Sequence, residues 1–233
     1  MSMRRLIVLA GLVLMSAASG TAQRAGGGEH HFLYVAEPGI RNYVEYGGVG
    51  VLVFDMDSGY KFVRRIPTFD VPEGQEPENV KGVTADAASK RLYVSTIKRI
   101  AAIDLATDKI VWNREYDGGC DRLAISPDGT LLYVPSFEGP HWLVLDAKTG
   151  DVITKIVTNS GAHNTIYGPD GHRVYLAGLH SPVLSIADPA SHRVVSTVGP
   201  FSNSIRPFTI NHAQTLCFVN VNELLGFEVG DMR

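Results

Sequence analysis

Short apolar runs of four to six residues recur along the chain from residue 32 onwards. They are rich in Val, Ile, Leu and Tyr, and turn signals separate them, such as Pro-Asp-Gly at 127–129 and Lys-Thr-Gly at 148–150. Runs this short are typical of strands, whereas helices need longer segments with a 3.6-residue period. No long segment of this chain has that period. The pattern therefore predicts an all-β protein built from antiparallel hairpins.

Four of these runs form a unit that repeats along the chain. An aromatic residue recurs in the second run of the unit and an acidic residue at the end of the third. Four short strands in about 40 residues are typical of β-propeller blades, including those with WD-like repeats. We expect Tyr93, Tyr133 and Tyr175 to pack in the core and the aspartates to cap turns. The aromatic residues are Tyr93, Tyr133, Tyr175 and Phe218, spaced by 40, 42 and 43 residues, and the acidic residues are Asp55, Asp104, Asp146 and Asp188, spaced by 49, 42 and 42.

Within each blade the strands are named a to d from the propeller axis outwards. The pattern predicts eighteen strands in five blades, with no strand a in the first blade and no strand d in the fifth. Propellers normally avoid such open edges. We therefore interpret the chain as C-terminally truncated, with a seven-bladed parent that needs two more blades, roughly 80–100 residues.

Two segments resemble a known family. Ile-Ser-Pro-Asp-Gly-Thr-Leu-Leu-Tyr-Val at 125–134 and Val-Leu-Asp-Ala-Lys-Thr-Gly at 144–150 are similar to the YVTN-repeat family of exported bacterial β-propellers. The resemblance covers nearly all of the chain after the N-terminal segment and is strongest at 120–200. It implies a seven-bladed type of propeller. The first blade departs from the family pattern by its long inserts, and the fifth has Asn-His-Ala-Gln at 211–214 in place of Pro-Asp-Gly.

The N-terminal segment has the pattern of a secretory signal. Arg4 and Arg5 precede ten apolar residues at 6–15, and small residues lead to Ala22. An apolar run of ten is too short to span a bilayer, which needs about 20 residues. We predict a signal peptide at 1–22, a flexible lead-in at 23–30 and the propeller at 31–233. The mature protein is then periplasmic or extracellular, with no membrane attachment.

Composition narrows the classes of function. The chain is 45% hydrophobic and 19% charged, with a formal net charge of −3, so it lacks the basic surface that nucleic-acid binding requires. Two cysteines cannot form a disulfide framework or a four-cysteine zinc site. Cys120 and Cys217 lie two blades apart, and we expect both to be unpaired.

Strand alternation assigns the connections to two faces. The a–b and c–d turns lie on one face, here called the plain face, and the longer b–c and d–a loops lie on the other, the decorated face. Polar residues recur where the d–a loops reach the axis, which predicts a channel mouth that holds an anion or a polar ligand. The alternative is a channel filled only with water. The candidate ligand-binding residues are Asn79, Lys81, Asp121, Arg122, His163, Asn164 and Arg206.

Other candidate sites have weaker patterns. His141, His163 and His180 fall on decorated-face loops and could bind a transition metal, but their spacing favours surface histidines. The insert at 41–46 is either a recognition lip over the channel or a hairpin extension. The acidic loop at 72–78 suits a solvated connector better than a calcium site. We predict no metal and no cofactor.

The chain contains no metalloprotease, nucleophile-elbow, haem-attachment, phosphate-loop or dinucleotide motif. We therefore expect an exported scaffold that binds a small molecule or a protein, without catalytic residues, and a monomer if the ring is complete. The alternative is a propeller enzyme of the quinoprotein-like oxidoreductase or lactonase type, with Asp121, His163 and Arg206 at the channel mouth. A purely structural surface protein is a third possibility, and no substrate follows from the sequence.

Overall fold

The structure is a computed structural model, which describes residues 30–37, 50–69, 73–74 and 78–233. The predicted signal peptide, nearly all of the lead-in, the 41–46 insert and most of the 72–78 loop lie outside the described residues. The described part contains eighteen strands, the number that the sequence predicts. None of the described residues forms a helix that is long and apolar enough to cross a membrane.

The strands form five antiparallel sheets, one for each predicted blade. Blade 1 has β1 (Phe32–Glu37), β2 (Gly50–Asp55) and β3 (Lys61–Ile66). Blade 2 has β4 (Val80–Asp86), β5 (Arg91–Thr96), β6 (Arg99–Asp104) and β7 (Lys109–Glu115). Blade 3 has β8 (Ala124–Ile125), β9 (Leu131–Pro135), β10 (His141–Asp146) and β11 (Val152–Val157). Blade 4 has β12 (Ala162–Tyr167), β13 (Val174–Gly178), β14 (Leu184–Asp188) and β15 (Arg193–Val198). Blade 5 has β16 (Ile205–Ile210), β17 (Leu216–Val221) and β18 (Phe227–Asp231).

Each sheet is a meander in which strands that are consecutive in sequence pair with each other. The inner strands β4, β8, β12 and β16 contact one another in that order, so they line an axis. The c–d pairs of the first four blades share one irregularity, which falls two residues before the acidic position, for example at Ala102 in blade 2 and Val144 in blade 3. A bulge increases the local twist of a strand pair. Its recurrence shows that the repeat determines backbone geometry as well as strand order.

The recurring aspartates cap the c–d turns, as predicted. The Asp104 carboxylate accepts hydrogen bonds from the backbone N–H groups of Ala106 and Thr107, at 2.9 and 3.0 Å. The fifth residue of each turn has a positive φ, which is 76° at Gly150 and 54° at His192. Asx turns of this kind satisfy backbone donors that no strand partner reaches.

Neighbouring blades pack through the recurring aromatic residues. Tyr93, Tyr133 and Tyr175 are fully buried, and each belongs to an apolar cluster shared by two adjacent blades. Trp142 is also fully buried and donates a hydrogen bond from Nε1 to the Thr165 hydroxyl of blade 4 at 2.9 Å. The prediction that these residues form the core is confirmed. A single blade cannot bury both of its faces, so the cores lie between blades.

The two terminal blades are less covered than the middle three. Strand β13 of blade 4 is buried along its whole length, whereas the equivalent β17 of blade 5 alternates between buried residues and residues that are partly or fully exposed. Phe227 of β18 is 59% exposed, and Phe32 and Leu33 of β1 are exposed as well. This difference arises because each of these blades has a described neighbour on one side only. The five sheets are therefore consistent with an incomplete propeller.

Candidate functional site

The predicted channel-mouth residues lie where strand a begins, and the structure shows why they recur. In blades 2, 4 and 5 the pairing of strand a with strand b skips one or two residues, which include Lys81, His163 and Arg206. Each of these lies three residues before the partner of the recurring aromatic residue. Asp121 has the same offset from Ala124, which pairs with Tyr133. A bulge re-aims the side chain of its unpaired residue, so in blades 2, 4 and 5 a polar side chain leaves the regular ladder near the axis.

The sequence predicts d–a loops that end at Lys81, Asn164 and Pro207, and these ends are wrong by two or three residues. Strands β4, β12 and β16 begin at Val80, Ala162 and Ile205, so Lys81, His163, Asn164 and Arg206 belong to strands. Asn79, Asp121 and Arg122 still precede their strands. The sequence suggests loops here because the bulged residues break the apolar pattern, while the chain on either side is already paired.

Three of the predicted residues form a connected cluster across blades 3 and 4. Asp121 Oδ2 lies 2.7 Å from His163 Nδ1, and Arg122 Nη1 lies 2.6 Å from His163 Nε2. A guanidinium can only donate. An ionised carboxylate only accepts, so Nδ1 donates to Asp121, and Arg122 Nη1 also lies 3.3 Å from Nδ1 and thus contacts both ring nitrogens. His163 thus links the carboxylate of Asp121 to the guanidinium of Arg122.

Asp121 is buried beneath this cluster. Its side chain is 2% exposed, against 12% for His163 and 43% for Arg122. Asp121 Oδ1 has no hydrogen-bond partner among the described residues and lies 3.5 Å from Arg122 Nη1. A buried carboxylate is costly unless cations or donors compensate it. Asp121 therefore holds both Arg122 and His163 in position. The exposed part of the Arg122 guanidinium faces the channel.

Backbone contacts position the cluster. The Asp121 N–H donates to the Pro135 carbonyl at 3.0 Å, and the Ser95 hydroxyl of blade 2 donates to the Asp121 carbonyl at 2.7 Å. A Cβ atom on Gly82 would lie 3.0 Å from the Cα of Arg122, so glycine permits the close approach of blades 2 and 3. Arg122 also forms a parallel bridge with Asn164 of blade 4.

A cavity of about 330 Å³ opens at this point of the axis. Three of the predicted residues line it, namely Lys81, Arg122 and Asn164, together with apolar side chains such as Leu123. The Lys81 ammonium lies 5.2 Å from the centre of the Phe137 ring, which belongs to a b–c loop of blade 3. The wall of the cavity thus carries two cations and an amide, and the only carboxylate of the cluster lies behind them.

The structure does not bring all seven predicted residues together. Arg206 Nε donates to the Asn222 side chain of its own blade at 2.5 Å, and Arg206 is not part of the cavity lining. Asn79 is buried just before β4 and is not part of the lining either. Ser95 and Phe137 support the site, although the sequence does not suggest them, because their contacts join residues that are far apart in the chain.

The three decorated-face histidines have separate surroundings. His141, predicted in a loop, is the first residue of β10 and is buried, and its Nε2 has no hydrogen-bond partner among the described residues. Burial lowers the pKa of His141, and the charge of Lys155 lowers it further. His180 lies against Gly161, and His163 belongs to the cluster with Asp121. The three side chains are therefore not arranged as ligands of one ion.

Both cysteines are buried and unpaired, as the sequence predicts. Burial raises the pKa of the Cys120 thiol to about 12, and the adjacent Asp121 charge contributes to this shift. A neutral thiol at this position is a small apolar core residue and a poor nucleophile.

Comparison with solved structures places this architecture among known folds. One neighbour is the hydrazine synthase of Kuenenia stuttgartiensis, with a TM-score of 0.62 and 16% identity over 79% of this chain and 57% of that one. Another is the β-propeller domain of Cps50 (Swd1) from Myceliophteria thermophila, with a TM-score of 0.59 and 12% identity over 74% of this chain and 56% of that one. This chain is a β-propeller. It spans little more than half the length of either neighbour, and identities this low show the fold alone.

No protein-family profile matches the propeller. One curated relative is the 77 kDa echinoderm microtubule-associated protein of Strongylocentrotus purpuratus, which is 26% identical over 106 residues. The match covers 45% of the propeller chain and 15% of that protein. The aligned part is thus a small fraction of the relative, and it does not identify a family for the propeller.

Proposed function

We propose that this propeller is an exported binding scaffold that takes a small anionic ligand at the channel mouth. The observation that carries the proposal is the cavity of about 330 Å³ lined by Lys81, Arg122 and Asn164. Export rests on the signal-like pattern of residues 1–22. The propeller fold supports a scaffold, and the chemistry of the cavity supports the class of ligand.

The charges at the mouth favour an anion. Lys81 has no ion-pair partner among the residues that the structure describes, and its ammonium lies over an aromatic ring near the cavity. Arg122 uses Nη1 for His163 and Asp121, whereas its Nε and Nη2 make no hydrogen bond with any described residue. Two adjacent guanidinium donors match the two oxygens of a carboxylate, and such bidentate pairs are the strongest of the charge-assisted hydrogen bonds.

The Asp121–His163 pair makes the site preorganised. The pair contacts one side of the Arg122 guanidinium. The arginine side chain therefore loses less conformational entropy when an anion binds. The Asn164 amide on the neighbouring strand offers one further donor to the ligand. The arrangement thus suits a ligand with one or two carboxylates and a short body.

Titration calorimetry with succinate tests the proposal, with the neutral succinamide as comparator. We expect succinate to bind and Arg122→Gln to weaken binding by at least tenfold, because a charge-assisted hydrogen bond contributes about 1.5–3 kcal/mol. Arg206→Gln is the matched control: the residue has the same kind of position in blade 5, but its guanidinium is bonded to Asn222. Equal weakening by both substitutions, or equal binding of succinamide, would contradict the proposal.

A second candidate is a hydrolase or oxidoreductase, because a histidine oriented by a buried carboxylate is the arrangement of a general base. The present geometry argues against it. Arg122 Nη1 lies 2.6 Å from Nε2, so it occupies the position from which a substrate would give a proton to that nitrogen. Arg206, the third residue expected in this enzyme, is bonded to Asn222 instead. Lactone hydrolysis that disappears in His163→Gln, with unchanged stability, would favour the enzyme.

A further inference from the structure

A second cavity lies on the plain face, between blades 2 and 3, away from the channel mouth. Its volume is about 420 Å³. Blade 2 contributes Ser89, Arg91 and Tyr93 to its lining, and blade 3 contributes Thr130, Asp146 and Lys148. The loops of this face are short and generic in sequence, and their sequence does not predict a ligand site. The internal repeat now allows these residues to be compared with their equivalents in the other blades.

Tyr93 differs from the equivalent tyrosines in the partner of its hydroxyl group. The Tyr133 hydroxyl lies 2.9 Å from Nδ1 of His192 in blade 4, and the Tyr175 hydroxyl donates to Gln214 in blade 5 at 3.1 Å. The Tyr93 hydroxyl has no hydrogen-bond partner among the described residues, although the side chain is only 1% exposed. Buried tyrosine hydroxyls normally find a partner. In blade 2 the phenol faces the cavity instead of a side chain of the next blade.

Asp146 differs from the equivalent aspartates in the same way. Asp104 and Asp188 use both carboxylate oxygens, for turn backbone groups and for Arg91 or Ser191. Asp146 uses only Oδ1, which accepts from the Thr149 N–H at 2.9 Å, and Oδ2 has no partner among the described residues. Tyr93 and Asp146 therefore both differ from their equivalents in the other blades, and both line this cavity. The Tyr93 hydroxyl and Asp146 Oδ2 are available to bond a ligand.

The turn that carries Asp146 is held by blade 2. Trp112 Nε1 donates to the Ala147 carbonyl at 3.2 Å, and the Tyr116 hydroxyl donates to the Gly150 carbonyl at 2.7 Å. The Trp112 ring also packs against Tyr93, with a centroid distance of 6.0 Å. A rigid turn holds its polar groups in position before a ligand arrives, which reduces the entropy cost of binding.

The charges around the cavity are mixed. Arg91 is paired with Asp104, so it is neutralised. Lys148, exposed at the rim, has no ion-pair partner among the described residues, and Asp146 has its free oxygen. Asp86 lies against Gly129 at the edge of the cavity, with Oδ2 bonded to the Ser89 N–H. Burial raises the pKa of Tyr93; the charge of Arg91 opposes this shift and the charges of Asp86 and Asp146 add to it, so the phenol stays protonated.

We propose that this cavity binds a small zwitterion with an apolar body, of the α-amino acid class. The ammonium group donates to Asp146 Oδ2 and to the phenol oxygen of Tyr93, and the carboxylate lies against Lys148. The apolar body packs on the aliphatic parts of Arg91 and Lys148, which line the same cavity. One negative and one positive group are available in the cavity, and such a ligand satisfies both.

Chemical-shift titration of the full chain with L-phenylalanine tests this site. Phenethylamine, which lacks the carboxylate, and phenylacetate, which lacks the ammonium, are the comparators. We expect L-phenylalanine to bind at least tenfold more tightly than either. Asp146→Asn and Lys148→Gln should each weaken its binding by about tenfold or more, since each removes a charge-assisted contact. Tyr93→Phe should weaken it about threefold to tenfold, the effect of one neutral hydrogen bond.

Two substitutions at equivalent positions are matched controls. Tyr133→Phe and Asp188→Asn alter the same places in the repeat, but they lie outside the cavity and should leave the affinity for L-phenylalanine unchanged. Lys148→Gln changes an exposed residue, so the test does not depend on a variant that fails to fold. The proposal is overturned if L-phenylalanine does not bind at millimolar concentration, if either comparator binds equally well, or if the control variants weaken binding as much as Asp146→Asn.

Discussion

The contact between His163 and Asp121 offers a direct test of how the channel mouth is built. His163→Leu keeps the volume of the side chain but removes the Nδ1–H that donates to Asp121 at 2.7 Å. Because Asp121 Oδ1 has no hydrogen-bond partner among the described residues, the carboxylate would then have only Arg122 at 3.5 Å. That distance is too long for a hydrogen bond, and a side chain that is 2% exposed gains little from water.

The loss of unfolding free energy in His163→Leu lies between two limiting cases. A buried group left without its partner costs about 1–3 kcal/mol, and a fully buried ion pair that loses one member costs about 3–5 kcal/mol. Arg122 still compensates the charge of Asp121, but it is 43% exposed, so its contribution is screened by solvent. We therefore expect His163→Leu to lower the free energy of unfolding by about 2–3 kcal/mol.

Urea unfolding measures this change as a lower midpoint with an unchanged slope. His172→Leu, in an exposed turn of the same blade, is the control and should change the free energy by less than about 0.5 kcal/mol. In an Asp121→Asn background, His163→Leu should cost at least about 1 kcal/mol less, because no buried charge is left unpaired. A loss below about 1 kcal/mol, or equal losses in both backgrounds, would show that the pair does not hold the site.

Three further outcomes follow from the structure. Gly178→Ala should destabilise the protein by about 1–3 kcal/mol in urea unfolding, since its Cβ would lie 2.2 Å from the Ser160 carbonyl oxygen. A thiol reagent at pH 8 should label Cys120 only after urea unfolding, because burial raises its pKa to about 12; rapid labelling of the native protein would contradict this. Hydrogen bonds from Ser191 and from the Ala190 N–H lower the pKa of Asp188 below its ordinary value of 3.8. Asp188 therefore stabilises the fold above that pH and loses this effect as the pH falls towards its folded pKa, so Asp188→Asn should show a shallower loss of stability below about pH 4.

The strands were the most predictable part of this protein. Tyr133 and Asp146 have equivalents about 40 residues away in either direction, and apolar runs between turn residues determine where strands form. The boundaries of strand a were less predictable. Lys81 and His163 are polar and interrupt the apolar pattern, yet the backbone around them is already paired, since a bulge needs no apolar side chain.

The two cavities show what a repeat pattern cannot predict. The sequence places Asp121 and His163 at equivalent positions, but the hydrogen bond between them depends on the distance between two blades. The cavity beside Tyr93 was not predicted, because Tyr93 matches the repeat perfectly in sequence. Its difference from Tyr133 lies in the next blade, where no side chain reaches its hydroxyl group.

The sequence alone therefore determined the class of fold and the number of described strands. These depend on local patterns of apolar, turn and polar residues, which can be read along one strand at a time. Only the tertiary structure decided that Arg122 and His163 both contact Asp121, that Arg206 is bonded elsewhere, and that the plain face contains a cavity. These features depend on how closely neighbouring blades pack, and packing brings together residues that are about 40 positions apart in the chain.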